Sequence, residues 1–408
     1  MEMESIRTIS SAGFPVYLHG FSAIDSFLGR KSSTAVYILC GTDIADLARL
    51  FEDLRYPGSA IADAALNCGE KTVYFRCVDA QAFATTFAED KTIDPRQHHR
   101  SSCKFLEFYQ DCKTRRFYDP RGLYPLLRSI RDGNNATGTT DIFGDNTSGS
   151  AIADTAMILA RYFPETSCSE IKKIAAAFLD PCHSPCKEEQ RLLLTGLLEA
   201  ANPVAGFELL KSTGYIGAYW PELAALDDVE QSKEFHPEGN VWKHTMETLR
   251  YRKVNGKAGH NRPSSPGSVF DIRLSLGLLL HDSGKPLSES TGGRRFNGHA
   301  ELGEGLARRF LERLGFAPPL VNDVCYLVRN HMLPAALPRL PLTRTGEIMA
   351  SPLFPTLLEL YRCDESSSYK GLDGYYRSSA AYQAYLKYRH NVYRTADGKK
   401  LKRGQTGG

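Results

Sequence analysis

The chain has 408 residues, 42% of them hydrophobic and 24% charged, with a formal net charge of +3. That length asks for more than one domain, the apolar content suffices for sizeable cores, and the near-balanced charge neither demands nor excludes a nucleic-acid partner. No window approaches the roughly 18 uninterrupted apolar residues of a membrane span, and MEMESIRTISSAGF at the N-terminus has acids but no apolar core of signal-peptide length.

In chain order, residues 14–87 alternate apolar runs rich in Val, Tyr, Ile and Phe (PVYLHGF, TAVYILC, KTVYFRCV) with one amphipathic stretch, DIADLARLFEDLRY. That alternation predicts an α+β unit. CKFLEFYQD and the basic KTRRFYDP read as a hairpin closing its sheet. Asp43 and Asp46 read as the N-cap and solvated face of the amphipathic helix. Residues 131–150, rich in Gly, Asn, Thr and Ser, read as a flexible linker or loop. From 151 onward SAIADTAMILARYF, SEIKKIAAAFL, EEQRLLLTGLLEAA and AGFELLKSTG predict successive short helices. Helical patterning runs to about residue 390, with breaks expected at 253–268 and 334–351. The last residues, 391–408, form a basic tail containing GKKLKRG. Ten cysteines are scattered without a dense framework, which predicts free thiols in a cytoplasmic protein. Their one local cluster, Cys182-His183-Ser184-Pro185-Cys186, lacks the second CxxC pair of a four-ligand zinc site.

One stretch stands out chemically. LLLHDSGKP (278–286) ends an apolar run in a histidine and an aspartate. Burying that carboxylate requires compensation. His281 and Asp282 point about 100° apart on a continuous helix. Both reach one ion if the helix stops there, an ending expected from Gly284 and Pro286. His244 (NVWKHTMETLR), His299 (FNGHAELGEGLARRF), His331 (YLVRNHMLP) and Asp364 (LLELYRCDESS) also lie on or at the ends of helical segments, with His236 just upstream. Imidazoles and carboxylates together suit Zn, Mn, Fe, Co or Ni rather than calcium.

The order H…HD…H…H…D, centred on HDSGK, resembles the HD superfamily of metal-dependent phosphohydrolases. The resemblance implies a helical domain in which His244, His281, Asp282 and Asp364 bind the metal. It further implies that His299 and His331 support a second metal or contact phosphate, and that Lys285 is aimed at the phosphate. Asp282 would both ligate and accept a proton from the attacking water, with Asp282, Lys285, His299 and His331 as the catalytic set. A divalent transition metal (Mn, Ni, Co, Fe or Zn) is the expected cofactor, magnesium being a further option.

The stretch PELAALDDVEQSKEFHPEGNVWKHT (221–245) is similar to the passage joining neck and HD domain in bacterial CCA-adding and poly(A)-polymerase-like proteins. That similarity implies a nucleotidyltransferase-like head, and VYLHGFSAIDSFLGR has the outline of its glycine turn. Gly20 and Asp25 are kept, but Phe21 and Ile24 replace the second glycine and the arginine. Residues 31–42 contain no acid where the family carries an Asp-x-Asp pair for magnesium.

The expected fold is therefore an α+β nucleotidyltransferase-like head (1–130), a linker (131–150), a mostly α-helical neck (151–224), an all-α HD domain (225–390) and the tail. The expected function is metal-dependent hydrolysis of a nucleotide or RNA-end phosphoester. The alternative is tRNA nucleotidyl transfer or poly(A)-polymerase-type RNA 3′-end processing, or a catalytically silent RNA-binding relative of such an enzyme. Nucleotide or RNA, tRNA included, is the expected partner, and no membrane.

Overall fold

A computed structural model describes residues 2–30, 33–58, 61–78, 104–133, 149–178, 184–231, 239–252, 270–290, 296–368 and 371–389. His236, Cys182, His183, the tail from 390 and most of the expected 131–150 linker lie outside these residues. By its internal contacts the chain divides into two compact units, Met1–Thr213 and Gly214–Gly408. The helices expected as a neck fall partly in each.

The first unit is built on a six-stranded sheet in the order β3-β4-β2-β1-β5-β6. Its strands are β1 (Val16–His19), β2 (Ala35–Cys40), β3 (Ala64–Cys68), β4 (Lys71–Cys77), β5 (Tyr109–Asp111) and β6 (Phe117–Tyr118). β2 and β4 run parallel and the other pairs antiparallel. β1, β2, β4 and the β5–β6 hairpin are the apolar runs picked out by β-branched and aromatic residues. β3, AALNC, is formed by residues of low strand propensity and owes its state to pairing with β4. Between β1 and the helix Phe21–Phe27 the chain turns at Gly20, whose φ of +56° favours glycine. Asp43 caps the Ile44–Leu50 helix, its Oδ1 accepting from Asp46 N at 2.8 Å, and Asp46 pairs with exposed Arg49. Helices Glu2–Ser11, Tyr124–Arg131, Gly149–Tyr162, Cys168–Ala176, Lys187–Glu199 and Val204–Ser212 belong to the same unit.

The second unit is almost wholly helical. Its longer helices are Val241–Arg250, Ile272–Leu280, His299–Arg313, Pro318–Asn330, Phe354–Ser367 and Asp373–Tyr388. Ile272–Leu280 is apolar but for Arg273 and Ser275, is buried from Leu274 onward, and packs on three neighbours, Val241–Arg250, Pro318–Asn330 and Phe354–Ser367. Leu276, Leu278, Leu279 and Leu280 are wholly buried, each such side chain stabilising by about 1.5–3 kcal/mol. Trp220, Trp242, Phe310 and Phe354 are also buried, Trp220 edge-on to Phe310. The break expected at 334–351 instead carries helices Leu333–Ala336 and Leu342–Ala350. Pro334 sits in a first helical turn and Pro341 at an N-cap, where the missing N–H costs no helical bond. The 253–268 break falls outside the described residues. The architecture is an α+β head, a helical body and a C-terminal unit that departs from the all-α expectation only by a two-stranded sheet, Glu289–Ser290 paired with Phe296–Asn297.

Candidate metal centre

Each site side chain is delivered by a helix end or a helix face. His244 lies one turn into Val241–Arg250, which Asn240 caps by accepting from Lys243 N at 3.1 Å. His281 is the C-cap of Ile272–Leu280 and keeps helical angles, φ −54° and ψ −36°. Gly284 does not end this helix as expected from sequence, because its φ of −82° is right-handed. It is glycine for a different reason: a Cβ there would lie 2.0 Å from the His299 carbonyl oxygen and 2.5 Å from Gly303 N. The absent side chain lets the turn after His281 press against the His299–Arg313 helix. His299 opens that helix, His331 caps the end of Pro318–Asn330, and Asp364 sits on Phe354–Ser367.

The ring orientations are fixed from behind. Nδ1 of His281, His299 and His331 lies 2.8, 2.7 and 2.7 Å from the carbonyl three residues earlier, of Leu278, Phe296 and Val328. A carbonyl only accepts, so each Nδ1 carries a proton and each Nε2 is the nitrogen turned to the centre. His244 Nδ1 lies 3.2 Å from Ser367 Oγ, which donates to the Asp364 carbonyl at 2.7 Å.

The front faces converge on two adjacent groups, His244–His281–Asp364 and Asp282–His299–His331, with ligand atoms in each within 4.8 Å of one another. His244 Nε2 is 3.0 Å from Asp364 Oδ1, and His281 Nε2 is 4.0 Å from the same oxygen. Asp282 spans both groups. Its Oδ2 lies 3.3 Å from His281 Nε2 and 3.7 Å from His244 Nε2, while its Oδ1 lies 3.6 Å from His299 Nε2 and 3.9 Å from His331 Nε2. Burial works to raise the Asp282 carboxyl, but His281 and Lys285 outweigh it and hold it well below the usual carboxylate range. Asp364 is likewise lowered, burial being outweighed by its bond to His244. Burial, then the neighbouring His281, pushes His331 down to about 4, so its ring is neutral at physiological pH.

Two observations test whether these residues fit a cation. His281 Nε2 is buried with no hydrogen-bond partner among the described residues. His299 Nε2 and His331 Nε2 stand 3.0 Å apart, each ring anchored through Nδ1 to a carbonyl behind it, so both Nε2 atoms are turned to one point beside Asp282. A cation beside them would give His281 Nε2 a partner, and the nitrogen–carboxylate donor set suits a divalent transition metal. Lys285 Nζ points back into this centre, 2.7 Å from Asp282 Oδ2 and 2.7 Å from Gln231 Oε1. Ser367 and Gln231 were not picked out from the sequence, where neither stands at a telling spacing.

In the first unit, the retained Asp25 is buried and accepts from Tyr162 Oη at 2.8 Å. Arg161 joins Asp25 (3.7 Å) to Glu199 (3.2 Å). Glu199 also accepts from Thr34 N at 3.0 Å and from the Ser33 and Thr34 hydroxyls. β2 itself, AVYILC, carries no acid. Glu199, unsuspected from sequence, thus brings a carboxylate to the start of β2 from a distant helix, already engaged by an arginine.

The HD domain model matches residues 241–351. The chain carries an HD domain. The matched stretch holds His244, His281, Asp282, Lys285, His299 and His331, and stops short of Asp364. A CC-adding tRNA nucleotidyltransferase of Thermus thermophilus is 34% identical over 152 residues, 36% of this chain and 32% of that protein. A bifunctional uridylyltransferase/uridylyl-removing enzyme of Mycobacterium tuberculosis is 32% identical over 160 residues, 39% of this chain and 17% of that protein. A solved CCA-adding enzyme with ATP is 12% identical, with a TM-score of 0.44 over 96% of this chain and 83% of that one. The HD-containing chain spans about a third of the length of the curated tRNA nucleotidyltransferases it matches. Among the described residues no helix is long and apolar enough to cross a membrane, and the cysteines described are free thiols.

Proposed function

We propose that this chain acts on RNA 3′ ends, tRNA among them, and that its HD domain performs metal-dependent phosphoester hydrolysis there. The carrying observation is the convergence of two adjacent ligand groups that share Asp282. His244, His281 and Asp364 would hold one divalent ion and His299 and His331 a second, with Asp282 between them. When bound, such ions supply a water of lowered pKa and polarise a phosphoryl oxygen. Asp282 sets the spacing of the two groups and orients the attacking water. Its carboxylate, held below the usual range by His281 and Lys285, acts as that water's hydrogen-bond acceptor. Lys285 stands beside this carboxylate as a fixed positive charge opposite the phosphoryl oxygens. The RNA-end substrate class is carried over from the named relatives.

Nucleotidyl transfer is the second reading, and the relatives favour it over hydrolysis: they include CC-adding, A-adding and multifunctional CCA proteins. Against it stands the head, where β2 offers no acid and Arg161 engages both Asp25 and Glu199. The two are separated by parallel assays on the full chain. Hydrolysis of bis-p-nitrophenyl phosphate and 2′,3′-cyclic nucleotides is expected with Mn²⁺, Ni²⁺ or Co²⁺ and is lost in Asp282→Ala. No turnover by wild type, or equal turnover by the variant, overturns the hydrolase proposal. Incorporation of labelled ATP or CTP into tRNA, unaffected by Asp282→Ala, would establish transfer instead. Elemental analysis of His244→Ala, expected to hold less metal, separates lost binding from lost catalysis.

A further inference from the structure

The HD match begins at residue 241, yet a residue ahead of it reaches the centre. Gln231 lies in a segment tied to the start of the His244 helix. Glu230 and Asn240 form an antiparallel bridge, and Val241 N donates to Val229 O at 3.0 Å. The Gln231 side chain is buried, and its Oε1 accepts from Lys285 Nζ at 2.7 Å. An ammonium only donates, so the amide oxygen must be the atom facing it, and the amide orientation is settled. The same Nζ lies 2.7 Å from Asp282 Oδ2 and 5.4 Å from the centre of the Phe296 ring. Two acceptors and an aromatic face leave this ammonium one place to sit. Gln231 Nε2 is the other amide atom, buried and with no hydrogen-bond partner among the described residues. A fold tolerates an unmatched buried donor where the rest of the group is needed.

We propose that Gln231 is a positioning residue for the phosphoester chemistry, holding the Lys285 ammonium against the shared Asp282 carboxylate. The proposal rests on the phosphoesterase reading of the centre. Without Oε1, Lys285 keeps a single acceptor and gains the freedom of its four-carbon stem. Its charge then no longer meets the reacting phosphoryl group at a fixed place, while the metal ligands remain intact. The loss falls on kcat rather than on KM or metal content.

The test uses the full chain loaded with Mn²⁺ and bis-p-nitrophenyl phosphate, comparing Gln231→Leu, Gln231→Glu, Lys285→Met and the Leu/Met double variant. Gln231→Leu is expected to lower kcat about tenfold, less than the hundredfold or more typical of removing a direct donor. KM should move by less than about twofold and manganese content should hold. Gln231→Glu, which keeps an acceptor for Lys285, should recover most of kcat, and the double variant should be no slower than Lys285→Met. Unchanged kcat in Gln231→Leu, no recovery in Gln231→Glu, or additive losses in the double variant overturn the proposal. Acylation of Lys285 by acetic anhydride, followed by mass spectrometry, needs no turnover. It should speed up in Gln231→Leu and not in Gln231→Glu, and an unchanged rate in both overturns the proposal even if wild type hydrolyses nothing.

Discussion

Three site histidines are held by their own backbone, each bonded to the carbonyl three residues back, whereas His244 leans on Ser367. Ser367 Oγ gives its proton to the Asp364 carbonyl and so can only accept from His244. It thereby orients one candidate ligand and ties it to the helix of another. Ser367→Ala is expected to weaken metal binding about 10- to 100-fold, as loss of such supporting bonds typically does. Chelator competition measures this, and unchanged affinity would show that His244 is oriented by other contacts. The candidate ligands were legible in the sequence because their order and neighbours form a pattern. Ser367 was not. It stands among serines 366–368, and its value comes from a residue 123 positions away.

At the scale of elements, Gly284 shows how a local signal can be right about the residue and wrong about the reason. Glycine followed by proline after an apolar helix reads as a stop. Here the angles are ordinary, and the demand comes from the backbone of His299–Arg313 lying against the turn. Gly284→Ala must push those elements apart, at a cost of about 1–3 kcal/mol from overpacking. Urea titration should show a lower midpoint, and metal content should fall because His299 and Asp282 no longer sit at 3.6 Å. Wild-type stability in that variant would mean the two backbones separate freely. β3 makes the complementary point, since Ala64–Cys68 has little strand propensity and is a strand because β4 offers it a partner.

At the scale of the whole molecule, every candidate metal ligand lies in the Gly214–Gly408 unit, while Asp25, Arg161 and Glu199 lie in Met1–Thr213. Both tryptophans, Trp220 and Trp242, belong to the second unit and are buried in its core. Tryptophan fluorescence therefore reports that unit's unfolding, and circular dichroism reports both. Removing metal with a chelator should lower the fluorescence transition. Restoring an ion at about 100 times its Kd should return roughly 2.7 kcal/mol to that unit by mass action. A part of the dichroism transition, belonging to the first unit, should stay where it was. A fluorescence melt indifferent to chelator would remove the metal from this centre.

From the sequence alone came the α+β head, the helical body, the HD motif and the absence of acids at the start of β2. All of these are carried by periodicity, composition or short spacing, which survive being read one segment at a time. Only the tertiary structure brought Glu199 to Thr34, Ser367 to His244 and Gln231 to Lys285, and set Asp282 between two ligand groups. Hydrogen bonds and charge pairs act over a few ångströms of space regardless of separation along the chain, so no spacing rule encodes them.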